Sequence, residues 1–251
     1  DSRGAYETWR TVLEQMDSHD PDVILFSGDM VDLGPNQHEW DAWFQAAEEA
    51  NDIFTRVPFV PAHGNHEFNA TNYFAQFSLP NNEQWFHYTV ADLVLVSLND
   101  TVVDMEYLQS DQPAYLDQVY GQHPDRWKLA MHHRSAYSAC TTHGSYGLVR
   151  DAWVPMFDKH GVDVVFAGHN HIYERSVPIA AEAEAAPGEG TVYLVSGGAG
   201  APLYTGIEES WFNAVANPVE HYIIGDVTAD AMDFVVRDLS GNVLDEWSIP
   251  R

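Results

Sequence analysis

Positive charge is what this sequence has least of. Lys128 and Lys159 are its only lysines, and 11 basic side chains in all face 38 acidic ones, for a formal net charge of −27. A field of that sign repels polyanions, so nucleic acid and anionic membranes are excluded as general partners. Cysteine is nearly absent too: Cys140 stands alone, which excludes an internal disulfide and leaves the redox compartment undecided. No apolar run approaches the roughly 18 to 20 residues that span a bilayer. No secretory signal is visible, although the abrupt start is compatible with a removed upstream segment. What the chain does have is 45% hydrophobic and 13% aromatic residues over 251 positions, ample for a packed core and expected to form one domain, 1–251. The acid surplus with scarce lysine fits either adaptation to high salt or a surface that merely aids solubility.

Periodicity supplies the elements. Tyr6, Trp9, Val12, Leu13 and Met16 recur at helical spacing, and Val23–Phe26 follows as a buried strand. A second helix is expected after Pro35-Asn36, with Trp40, Trp43, Phe44 and Ala47 inward and Glu48-Glu49 outward. Strands are expected at 56–61, 85–90, 93–98, 127–131, 162–167, 191–196, 222–227, 232–236 and 243–249. Residues 107–120 read as weakly helical and 149–160 as a helix, with loops at 69–82 and 181–190. Strand and helix alternate early and strands dominate late, which argues for an α/β body with a mixed or antiparallel second half.

The polar clusters fall at strand ends. Asp29, Asn65-His66, His132-His133 and His169-Asn170-His171 each follow or close an apolar run. Ligands of open α/β sheets gather at the carboxyl ends of strands, so these groups are expected to converge. Carboxylate, amide oxygen and imidazole together suit Zn, Mn or Fe better than Ca or Mg. There are too many donors for one four-coordinate ion. Two ions about 3.5–4 Å apart would use them all, lowering the pKa of a water and clamping a phosphorus.

Gly28-Asp29-x-x-Asp32-x-Gly34, Gly64-Asn65-His66-Glu67, His132-His133 and Gly168-His169-x-His171, in that order, resemble the motif series of the calcineurin-like metallophosphoesterases. His171-Ile172-Tyr173-Glu174-Arg175 and Val195-Ser196-Gly197-Gly198 resemble the purple-acid-phosphatase-like branch. The resemblance implies a sandwich of mixed β-sheets flanked by helices, with two divalent or trivalent transition-metal ions (Fe, Mn or Zn). It implies hydrolysis of small phosphate mono- or diesters by a hydroxide bridging the ions, in an extracellular or periplasmic setting. On it, Asp29 is the bridging carboxylate, Asp1 and His171 serve the first ion, and Asn65, His133 and His169 serve the second. His66 is the general acid or orients the phosphate, and His143 binds substrate or protonates the leaving group. His132 remains the alternative to His133, and Tyr137, four residues past His133, favours the latter. His63, His87, His123 and His160 read as structural or solvated, and Tyr137 and Tyr173 as candidates to line the cleft.

Two departures stand out. The family's first motif places a histidine where this chain has Arg3, and the purple phosphatases place a tyrosinate where it has Asp32. The first ion is then left with Asp1, Asp29 and His171, and with Asp32 or solvent, while Arg3 is free to bind substrate phosphate through its guanidinium fork. The second departure is that Asp1 opens the chain, so the strand expected before it lies upstream in a longer protein. The alternative function is a catalytically silent phosphate- or metal-binding module with a degraded first-metal site.

The charge itself makes a prediction. The Debye length falls from about 10 Å at 0.1 M salt to 3 Å at 1 M, which screens repulsion among neighbouring carboxylates. The melting temperature should therefore rise between these salt levels, and a flat or falling trend would contradict it.

Overall fold

A computed structural model describes residues 1–102 and 104–251. Its first half alternates as expected through α1 (Tyr6–Asp17), β1 (Ile24–Phe26), α2 (Gln37–Glu49) and β2 (Phe59–Pro61), and α3 (Thr71–Gln76) follows. The hairpin β3 (Phe86–Val90) and β4 (Leu93–Ser97) leads through α4 (Gln112–Gly121) to β5 (Trp127–Arg134), α5 (Gly147–His160) and β6 (Val164–Gly168). Strands then dominate: β7 (Tyr173–Ser176), β8 (Ile179–Ala180), β9 (Ala183–Glu184), β10 (Val192–Ser196), β11 (Asn213–Asn217), β12 (His221–Val227), β13 (Ala231–Asp238) and β14 (Val243–Pro250). α2 starts where the sequence placed it, because the Asn36 side chain accepts from the His38 amide at 3.2 Å and caps the first turn.

Seven strands form one sheet in the order β11-β7-β10-β6-β5-β4-β3, parallel through β4, β5, β6 and β10 and antiparallel at both edges. β12-β13-β14 form an antiparallel sheet, and β1 pairs parallel with β2. The period of two along the strands sorts side chains between layers. Leu95, Leu129, Met131 and Val164 turn inward to meet Val60 of β2 and Met232, Phe234 and Ile249 of the smaller sheet. Val94, Val96, Ala130 and Val165 turn outward under Leu116 and Val119 of α4 and Trp153 and Phe157 of α5. On the opposite side Trp9, Trp40 and Trp43 pack α1 and α2 over Phe26, with Trp9 and Trp43 stacked at 5.5 Å. Helices thus cover both outer faces of a sandwich in which the seven-stranded sheet faces β1–β2 and β12–β14, the architecture the resemblance implied.

Local differences have physical causes. β7 was not expected, since the run Tyr173-Glu174-Arg175-Ser176 carries charged and polar residues without an apolar alternation. Glu174 is instead buried on the Ala139 amide (2.7 Å) and the Ser138 hydroxyl, and Arg175 pairs with Asp245 at 2.6 Å. The loop expected at 69–82 contains α3, and the one at 181–190 opens with the small β8–β9 hairpin. β5 runs past Met131 to Arg134 through a register shift, so His132 and His133 lie within the strand rather than beyond it.

Candidate metal centre

β1, β2, β5 and β6 bring their carboxyl ends to one place. The link between the seven-stranded sheet and the β1–β2 pair is explicit there: His133 Nδ1 donates to the Ser27 carbonyl at 2.8 Å. That bond commits the Nδ1 proton and leaves Nε2 facing inward as an acceptor, the form that binds a metal. His133 Nε2 lies 3.2 Å from Asp29 Oδ2, 3.1 Å from Asn65 Oδ1 and 3.2 Å from His169 Nδ1. His171 is prepared in the same way, since its Nδ1 donates to the Pro202 carbonyl at 2.8 Å and its Nε2 sits 3.7 Å from Asp1 Oδ1.

Two groups of donors result, Asp29/His133/His169 and Asp1/Asp29/His171, with ligand atoms within 4.8 Å of one another in each. Asp29 belongs to both. Asp1 Oδ1 is buried and has no hydrogen-bond partner, an orphaned acceptor of the kind a cation satisfies. Lone pairs converge here with few protons between them, and the residues present fit a pair of transition-metal ions.

The titration of these groups agrees. Burial, with His133 and His143 close by, lowers His169 to about 2, and burial lowers His171 to about 3, so both rings stay neutral. Burial also works against charge on His133, but the Asp29 carboxylate overcomes it and raises that ring. Burial works against charge on Asp29 as well, and His133 and the His66 amide hold it below the usual carboxylate range. Positive charge is favoured between them.

The loops that present these atoms are held from behind. Asp29 and His169 both adopt left-handed backbone (φ +59° and +66°), a conformation that aspartate and histidine tolerate better than most residues. The Asp29 amide donates to Glu67 Oε2 at 3.0 Å, and the His169 amide donates to Asp1 Oδ2 at 3.0 Å. Glu67 also takes the Gly64 amide at 2.7 Å and the Met30 amide at 2.8 Å, while fully buried. Burial and the nearby Asp29 raise its carboxyl to about 7. The β1 and β2 loops touch so closely that a Cβ on Gly64 would lie 2.3 Å from the Asp29 amide nitrogen, and one on Gly28 would lie 2.7 Å from that of Gly64. Glycine is required at both.

Asp1, Asp29, Asn65, His133, His169 and His171 are therefore brought together. His132 is not: its ring packs on Trp153 at 5.1 Å on the helix side of the sheet. His66 stands at the rim with Nδ1 donating to the Asp32 carbonyl at 2.8 Å, which turns Nε2 toward Asp29 Oδ2, 4.0 Å away. His143 lies over His169 with ring centroids 4.2 Å apart, on a loop held by Asn170 Nδ2 donating to the Gly144 carbonyl.

Three expectations are corrected. Asp32 is not among the ligand groups; it is exposed and pairs with Arg3 at 2.8 Å. Tyr137 packs into the core against Tyr193, and Tyr173 donates to Asp245, so neither lines the cleft. The tyrosine that does is Tyr204, stacked on His171 at 4.3 Å with its hydroxyl 3.3 Å from His143 Nε2. Sequence reasoning also gave no role to Glu67 or Asp100. Asp100 accepts from the His133 amide at 3.0 Å and the Arg134 amide at 2.5 Å, fixing the end of β5. Both carried a signal: Glu67 sits three residues past Gly64 as in a capping box, and Asp100 follows β4 as the other site residues follow their strands.

The family model for calcineurin-like phosphoesterases matches residues 1–173. Purple acid phosphatase 21 of Arabidopsis thaliana is 31% identical over 185 residues, covering 66% of this chain and 41% of that protein. Acid phosphatase type 7 of Danio rerio is 29% identical over 191 residues, covering 63% of this chain and 42% of its own. The chain thus spans less than half the length of these relatives. Among solved structures, a purple acid phosphatase from yellow lupin (Lupinus luteus) seeds shares the fold over 100% of this chain and 50% of its own, with a TM-score of 0.84 at 19% identity.

Glu67→Ala tests the clamp. It would strand three buried amides, each costing roughly 1–3 kcal/mol, so chemical denaturation should show a loss of at least about 3 kcal/mol. Glu67→Gln, which keeps one acceptor oxygen, should lose less. An alanine variant within about 1 kcal/mol of the parent would mean that Glu67 does not hold these loops.

Proposed function

Because the chain belongs to the calcineurin-like phosphoesterase family, on its purple-acid-phosphatase-like side, we propose that it hydrolyses small phosphate mono- or diesters at a two-metal centre. The observation that carries this reading is the Asp29 carboxylate shared between two donor groups. Asp1, Asp29 and His171 would hold the first ion, and Asp29, Asn65, His133 and His169 the second. Such ions, when bound, supply a water of lowered pKa and a clamp on the phosphoryl oxygens.

The remaining steps fall to the chain's own side chains. The Arg3 Nε–H, buried without an acceptor beside Asp29, would donate to a phosphate oxygen. His66 would deliver the proton to the leaving group. Its Nδ1–H is committed to the Asp32 carbonyl, so Nε2 is the atom that exchanges a proton with the cleft. His143 would bind the phosphate from the opposite side, its ring set by His169 and the Tyr204 hydroxyl. Asp100 and Glu67 touch none of the reacting atoms and act by positioning His133 and Asp29.

His66→Ala separates the proton donor from the ligands. A positioned acid contributes about 10²–10⁴-fold, and alkyl leaving groups need it more than activated aryl ones. The variant should keep its metal content and lose about 10²-fold or more on alkyl phosphates, with a much smaller loss on aryl phosphates. His143→Ala, the control, should slow both ester types alike. Equal losses in His66→Ala, or loss of metal with it, would assign His66 to binding and leave the acid to His143 or water.

A further inference from the structure

A cavity of about 430 Å³ opens beside the centre, a volume within the range of small-molecule sites. Arg3, Tyr6, Asp32, Glu39 and Pro202 are among the residues that line it. Two of these walls touch the donor groups directly. Arg3 Nε lies 3.9 Å from Asp29 Oδ2, and the Pro202 carbonyl accepts from His171 Nδ1 at 2.8 Å. A third, Asp32, accepts His66 Nδ1 on its carbonyl at 2.8 Å. A group that leaves the centre on the His66 side therefore has this cavity next to it.

The functional groups on its walls come as donors and acceptors side by side. Arg3 NH1 donates to Asp32 Oδ1 at 2.8 Å, which leaves other guanidinium N–H groups as donors. Asp32 Oδ2 has no partner among the described residues and remains an acceptor. The Tyr6 hydroxyl donates to Glu39 Oε2 at 3.4 Å and keeps its lone pairs free. Glu39 itself is occupied. It accepts from the Asp32 and Leu33 amides at 2.7 and 3.0 Å and from Asn36 Nδ2 at 3.0 Å, and so fixes the loop that carries Asp32. Donor beside acceptor matches a hydroxyl, which is both. A plain alkyl or aryl group would leave these atoms without partners, and an ammonium would meet the permanent charge of Arg3. Polyanionic esters are repelled by a chain of net charge −27.

Resting on the hydrolase reading, we propose that this cavity is the subsite for the leaving alcohol and that the alcohol is a polyol, so that the substrates are monophosphate esters of sugars or sugar alcohols. The phosphate lies against Arg3 Nε, and the polyol hydroxyls pair with the Arg3–Asp32 couple and with Tyr6. Water adds at phosphorus and the phosphorus–oxygen bond to the alcohol breaks. That oxygen takes its proton from His66, which releases the polyol and inorganic phosphate. Arg3 and Asp32, the residues at which this chain leaves the family pattern, thereby set which ester it takes.

Glucose 6-phosphate and n-hexyl phosphate are both esters of six-carbon primary alcohols and differ in their hydroxyls. The metal-loaded protein should hydrolyse the first with a kcat/KM about tenfold or more above the second, the worth of one hydrogen bond to a charged group. Asp32→Ala should lower that ratio about tenfold, mainly through KM, and Tyr6→Phe about threefold, whatever either does to the rate on hexyl phosphate. Binding is also read without activity, by titrating the metal-free protein with glucose or with n-hexanol. Glucose should shift the amide NMR signals of Gly4 and Gly200, which line the cavity, and should not do so in Asp32→Ala; hexanol should leave them in place. A wild-type ratio near one, a ratio that survives in both variants, or a preference for 6-aminohexyl phosphate would overturn the polyol subsite and leave the hydrolase reading intact. Hydrolysis of none of the three esters would overturn the hydrolase reading, and the glucose shifts then decide the subsite, which falls if they are absent.

Discussion

One buried carboxylate oxygen organises this molecule. Asp29 Oδ2 lies 3.2 Å from His133 Nε2 and 3.9 Å from Arg3 Nε, and Asp29 is common to both donor groups. Its place depends on a left-handed backbone held by the Glu67 carboxylate, which gathers three amides from the β1 and β2 loops. The same dependence explains why the two sheets meet here. β1 and β5 belong to different sheets, and the His133 to Ser27 hydrogen bond joins them behind the site. Lose the clamp and the donors separate.

Most of the site was legible because it obeys one rule, that functional groups follow the carboxyl ends of parallel strands. Asp29, Asn65 and His169 could be placed that way, and the spacing to Tyr137 selected His133 over His132. Tyr137 itself turned into the core, so the spacing marked the histidine without marking a cleft tyrosine. Tyr204 carried no signal. It lies in an irregular stretch between β10 and β11, with no periodicity to read, and reaches His171 only through the tertiary fold. β7 and β11 were missed for a related reason. Their polar residues satisfy one another across distant segments, as Glu174 does with Ser138 and Asn213, and local pattern cannot show such pairing.

The two residues that break the family pattern, Arg3 and Asp32, turn out to be one feature. Arg3 and Asp32 lie 29 residues apart in sequence and 2.8 Å apart in space, so an unexpected cation and an unexpected anion meet as an ion pair beside Asp29. Surface pairs contribute little to stability, a few tenths of a kcal/mol to about 1. The exposed Asp32 partner argues that this one matters through the charge it places near Asp29 rather than through holding the fold. In a chain with 11 basic side chains, one of them committed to the centre is a concentrated use of positive charge.

The central claim is that Asp29 is shared by two ions. Anomalous diffraction from crystals soaked in Mn or Zn tests it most directly. The account predicts two peaks flanking Asp29, one among Asn65, His133 and His169 and one beside Asp1 and His171. A single peak that does not touch Asp29, or none at saturating metal, would contradict it.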